Sequence, residues 1–90
     1  MDAKIHMVAT ASEVFSFLKK NPNSIHEDVF QYISEYINRQ KIREEKTKVA
    51  MIGSAGKAFE MANKNPTVPE KILLKDFMEE IPGILSRIEE

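Results

Sequence analysis

The chain has 90 residues, with 13 Lys plus Arg against 14 Asp plus Glu, so it makes one domain at most and is close to neutral. That balance excludes a surface that attracts nucleic acid or anionic membrane over its whole extent. The lack of cysteine excludes disulfides, thiolate metal sites and a cysteine nucleophile, while 42% hydrophobic and 30% charged residues fit a folded chain, not a disordered one.

Residues 1–9 alternate weakly, Ile5 and Met7 against Lys4 and His6. They are expected to form a loose N-terminal arm or an extension of the first helix. A helix over 11–20 is predicted from Ala11, Val14, Phe15 and Leu18, the spacing of one buried face. Phe17 falls off that stripe. The helix stops at Asn21-Pro22, because proline cannot continue it. A second helix follows Ser24, with Ile25, Val29, Ile33, Tyr36 and Ile37 on its stripe and Phe30 at the edge. Start signals of the capping-box type, Ser or Thr with Glu three residues on, occur at Thr10–Glu13, Ser24–Glu27 and Thr67–Glu70.

From 25 to 63 there is no proline, and no glycine before Gly53. One helix of that length would reach about 58 Å, twice the diameter of a globule of this size. A break is therefore predicted at 38–41, the least apolar stretch. The third helix, 42–63, carries two apolar seams: Ile42, Val49, Ile52, Gly56 and Phe59, then Met51, Ala55, Ala58 and Ala62. Its small residues Ala50, Gly53, Ala55 and Gly56 let another backbone come close. The fourth helix, 68–81, presents Ile72, Leu73, Phe77 and Ile81; Pro82 is expected to kink or end it, and Gly83 beside it favours a break. A short piece with Ile84, Leu85 and Ile88 follows.

The sum is an all-α chain: one domain over 1–90, a small four-helix bundle of two αα-hairpins with a short helical piece after a proline kink. Lys20-Asn21-Pro22 recurs as Lys64-Asn65-Pro66, a faint repeat between the two hairpins.

Few residues suggest chemistry. Gly53-Ser54-Ala55-Gly56-Lys57 has two residues between its glycines where a phosphate loop has four, Ala58 in place of the magnesium-binding Ser or Thr, and no strand before it. His6 and His26 lack metal-ligand spacing, so no metal and no cofactor are expected. The acid pairs Glu44-Glu45, Glu79-Glu80 and Glu89-Glu90 read as solvated faces, since neighbours on a helix point about 100° apart. The strongest charged feature is the basic segment Arg39, Lys41, Arg43, Lys46 and Lys48, with Glu44–Lys48 as a stabilising pair. On one helix Arg39, Arg43 and Lys46 would share a face able to contact phosphates, but no aromatic residue interleaves to stack bases.

Ala55-x3-Phe59-x2-Ala62 resembles the second helix of a tetratricopeptide repeat, yet Arg39, Ile42, Arg43 and Lys46 stand where that family's first helix has an aromatic, leucine, glycine and tyrosine. Residues 14–33 resemble the opening of a winged-helix domain, without the alternating strands of its wing. The expected function is a non-enzymatic interaction or oligomerisation module, a homodimer being one form, with Phe17, Phe30 and Met61 as exposed anchors for a protein partner. Nucleic-acid binding through 39–48 is the alternative. With no apolar stretch near the roughly 20 residues that span a bilayer and no secretory or lipidation signal, a cytoplasmic location without membrane contact is expected.

Overall fold

Apolar stripes at three- and four-residue spacing become four helices in the computed structural model, which describes residues 3–89. They are α1 (Ala3–Lys20), α2 (His26–Arg39), α3 (Glu45–Lys64) and α4 (Glu70–Glu89), with no strand among the described residues. The fold is a small all-α four-helix bundle.

Of the two expectations for residues 1–9, the helix extension holds over residues 3–9 and the loose arm does not. From Ala3 onward the segment is the first part of α1, because Met7 continues the stripe of Ala11 and Val14 and all three are fully buried. Met1, Asp2 and Glu90, the last of them half of one acid pair, lie outside the described residues. Thr10 is consequently mid-helix and caps nothing; its hydroxyl donates to the His6 carbonyl at 2.7 Å, as a buried threonine in a helix must.

The start of α2 is shifted by one residue. Its cap is Ile25, whose side chain cannot accept a hydrogen bond, so the Asp28 carboxylate accepts the Ile25 amide at 3.0 Å. Ser24 instead donates its hydroxyl to the Asn21 carbonyl at 2.8 Å. Ile25 leaves the stripe and stands exposed. At the start of α4, Thr67 and Val68 lie in the turn, and the Pro69 carbonyl accepts the amides of Ile72 and Leu73.

The two Asn-Pro stops have the same chemistry. Asn21 and Asn65 each donate their side-chain amide to the carbonyl four residues back, Phe17 at 3.0 Å and Met61 at 2.9 Å. The break at 38–41 is present as well: α2 ends at Arg39, and Lys41 turns the chain at φ 54°, a left-handed value uncommon for a residue with a Cβ. Ile42 is therefore in the turn, half-buried against the core, and α3 begins three residues later than the periodicity suggests.

Pro82 does not end α4. Pro82 itself is exposed, while Ile81 and Ile84 on either side of it are buried and keep both halves packed on the core. The expected short C-terminal piece is the last two turns of α4. Pro82→Ala is expected to stabilise the protein by about 2 kcal/mol, the helix-interior difference less the entropy proline removes from the unfolded chain. Denaturant unfolding checks this; an unchanged or lower midpoint would mean the helix does not run through.

Successive helices are antiparallel: Phe17 meets Tyr32 while Glu13 lies toward Tyr36, His26 meets Phe59 while Phe30 meets Gly56, and Lys57 meets Glu80 while Gly53 meets Ile84. Hence α1 and α3 run parallel. They make the most extensive contact among the described residues, and α2 and α4 flank both with their backbones apart. On α3, His26 marks the side of α2 and Ile84 the side of α4. The arc between them that faces α1 carries Thr47, Ser54 and Ala58, small enough for the backbones to approach closely, and Ser54 donates to the Ala50 carbonyl at 2.8 Å. Phe77, Met7, Ile33 and Met51 fill the rest of the core. The result measures 33 × 25 × 19 Å with a radius of gyration of 12.2 Å. Among the described residues no helix is long and apolar enough to cross a membrane.

Candidate interaction surfaces

The first candidate surface is the side of α3 turned away from α1. Val49 is 46% exposed and Ile52 44%, although periodicity places both on a buried seam. Between the flanking helices this face presents Val49, Ile52, the bare backbone of Gly53 and, at its edge, Phe30, whose ring tip lies 3.6 Å from where a Cβ on Gly56 would be. Gly53 has a reason on its other side: a Cβ there would meet Ile84 at 3.3 Å. Lys46 closes one end of the strip and Glu60 the other. Glu60 pairs with Lys64 at 3.0 Å and Lys57 at 3.9 Å, and the Lys64 hydrogen bond holds its carboxyl below the usual value. Lys46 has no ion pair among the described residues.

The second surface is a groove of about 430 Å³ between α1 and α2. Phe17 and Tyr32 stack there with ring centroids 4.6 Å apart. The Tyr32 hydroxyl donates to Glu13 at 2.8 Å, and that bond, with burial, raises its pKa above the usual 10. Asp28, Gln31 and Glu35 rise from α2 along the groove, Asn21 and Ser24 close its end, and no Lys, Arg or His lines it. Burial first, and Glu13 second, also raise the pKa of the neighbouring Tyr36.

A third hollow, about 370 Å³, lies where the ends of α1 and α3 meet the α3–α4 turn. Phe15, Leu18, Val68 and Leu73 line it, but Lys19 and Glu70 at its rim have opposite signs and favour no ligand charge.

The remaining sequence candidates fall as follows. Phe17, Phe30 and Met61 are half-buried against the core and not free-standing anchors; only the first two border a candidate surface. The basic segment is not one helical face. Arg39 ends α2, Lys41 and Arg43 lie in the turn, and Lys46 and Lys48 belong to the first turn of α3. Lys48 pairs with Glu45 at 3.8 Å and not with Glu44, which caps α3. His26 packs on Phe59, centroids 4.3 Å apart, as an aromatic ring. Lys57, beside the failed phosphate loop, bonds Glu80 of α4 at 3.1 Å. Among the described residues no three His, Asp or Glu side chains gather as a metal site would require.

Sequence reasoning found Phe17 but missed Tyr32, Asp28 and Glu35. The last two are seven residues apart, which puts them on one face of α2, a signal that was available. Comparison of the chain with protein-family models, curated proteins and solved structures finds no match in any of the three.

Proposed function

We propose that the chain is a non-enzymatic interaction module that associates with a second copy of itself through the outward face of α3, in a cytoplasmic setting. The observation that carries this reading is the exposure of Val49 and Ile52 on one helix face beside the bare backbone of Gly53. Branched aliphatics cost free energy in water, and a glycine in a helix interior costs about 1 kcal/mol relative to alanine. A helix crossing at Gly53 turns both costs into contact. The charges agree: an antiparallel pair about a two-fold axis near Gly53 brings Lys46 opposite Glu60 of the second copy. A face one helix wide is at the small end of interfaces, so the dimer is weak and concentration-dependent.

Sedimentation of the full chain from micromolar to millimolar concentration tests this. Dimer is expected to accumulate in the wild type and to disappear in Val49→Lys and Ile52→Lys, whose exposed positions leave stability within about 0.5 kcal/mol. A strict monomer throughout would overturn the reading. Nucleic-acid contact through Arg39, Lys41, Arg43, Lys46 and Lys48 has weaker support, because those side chains fan out around a turn and present no shared helical face.

A further inference from the structure

The groove between α1 and α2 has a composition that selects one kind of visitor. Two stacked rings, Phe17 and Tyr32, line it, and the Tyr32 hydroxyl is already committed to Glu13, so what the tyrosine offers is its ring. An aromatic face carries negative charge density and attracts a cation. Around the rings stand Asp28 and Glu35, and no basic side chain lines the groove; Arg39, at the end of α2, acts on the Tyr32 hydroxyl from outside it and makes no ion pair with either acid among the described residues. One Asp28 oxygen is occupied by the Ile25 amide, which fixes the side chain and leaves the other oxygen free. No ion pair involving Glu35 occurs among the described residues. Asp28 and Glu35 lie about 10 Å apart along the helix axis, with Gln31 and Tyr32 between them.

We propose that this groove binds an arginine side chain presented by a protein partner, the guanidinium lying against the Phe17–Tyr32 pair and donating to the carboxylates of Asp28 and Glu35. Arginine fits better than lysine because its planar group stacks on a ring and donates in the ring plane at the same time. A free metal ion fits less well, since Asp28 and Glu35 stand two helical turns apart and two aromatic rings line the space beside them. The inference rests on the reading of the chain as an interaction module, but it uses α1 and α2 and not the α3 face. The two fail separately: the dimer is read by sedimentation, the groove by titration of its rings.

The test is an NMR titration of the full chain with a capped Gly-Arg-Gly peptide, run beside the same peptide with citrulline, its neutral isostere, in place of arginine. Saturable shifts of the Phe17 and Tyr32 ring resonances are expected with the arginine peptide alone. Asp28→Asn, which keeps an acceptor for the Ile25 amide, and Glu35→Gln are each expected to weaken binding about two- to fivefold, the range of exposed ion pairs. Both variants should keep the wild-type spectrum away from the groove, which separates lost binding from lost folding. Equal shifts with citrulline, or an affinity unchanged in the double variant, would overturn the proposal. So would peptide-free, concentration-dependent shifts of the two rings, since they would put the chain's own basic turn in the groove.

Discussion

Replacing Phe77 by alanine is expected to destabilise the protein by about 3–5 kcal/mol, the largest loss of any single truncation here. Phe77 is the largest of the fully buried side chains, and on α4 it stands one turn from Leu73 and one from Ile81, both buried. Removing its ring empties the middle of the stripe by which α4 meets α1 and α3, and those helices, tied to α2 on their other side, cannot collapse into the space. Domains of this kind have about 5–15 kcal/mol in total, so the loss is a large share of the whole and the unfolding midpoint should fall well below that of the wild type. Urea unfolding followed by circular dichroism measures it. A loss below about 1 kcal/mol, the ordinary effect of a point substitution, would mean that α4 is not packed on the bundle as described.

Met7→Ala is the second large effect, about 2–5 kcal/mol, with the low end favoured because methionine is a flexible gap-filler whose sites tolerate substitution. It is the more discriminating of the two. Met7 is fully buried in a segment that the sequence alone leaves between a loose arm and a helix. On a loose arm the same change would lie within about 0.5 kcal/mol of zero, and alanine's helix preference would even help. The unfolding midpoint therefore distinguishes a structural α1 beginning near Ala3 from one beginning near Ala11.

These two residues show where the sequence was legible and where it was not. Val14 and Phe15, Val29, Ile33 and Ile37, and Phe77 and Ile81 repeat at helical spacing and are buried as that spacing requires. Residues 3–9 were obscure because Ile5 and Met7, two apart, imitate a strand's alternation; only Met7 turns inward, and Ile5 is exposed. Pro82 misled for a different reason: a local rule about a missing donor gave way to the packing of Ile81 and Ile84. Ser24 lost the cap of α2 to the pairing of Asp28 with the Ile25 amide, a choice decided by one residue of register.

The candidate surfaces were less legible than the fold. Two seams can be drawn on α3, and a helical wheel cannot say which meets the other helices. Close approach of α1 selects the small residues Ser54 and Ala58, and that choice turns Val49 and Ile52 outward. The groove is written across two helices. Phe17 stood out as an aromatic off its stripe, but Tyr32 became its partner only once α1 and α2 were antiparallel neighbours.

The most direct test of self-association through α3 is an isotope-filtered NOE measurement on a one-to-one mixture of labelled and unlabelled chain at millimolar concentration. Cross-peaks between copies are expected from the methyl groups of Val49 and Ile52 to the Gly53 region, vanishing when Ile52 is replaced by Lys. A mixture in which those methyls show contacts only within their own chain would contradict it.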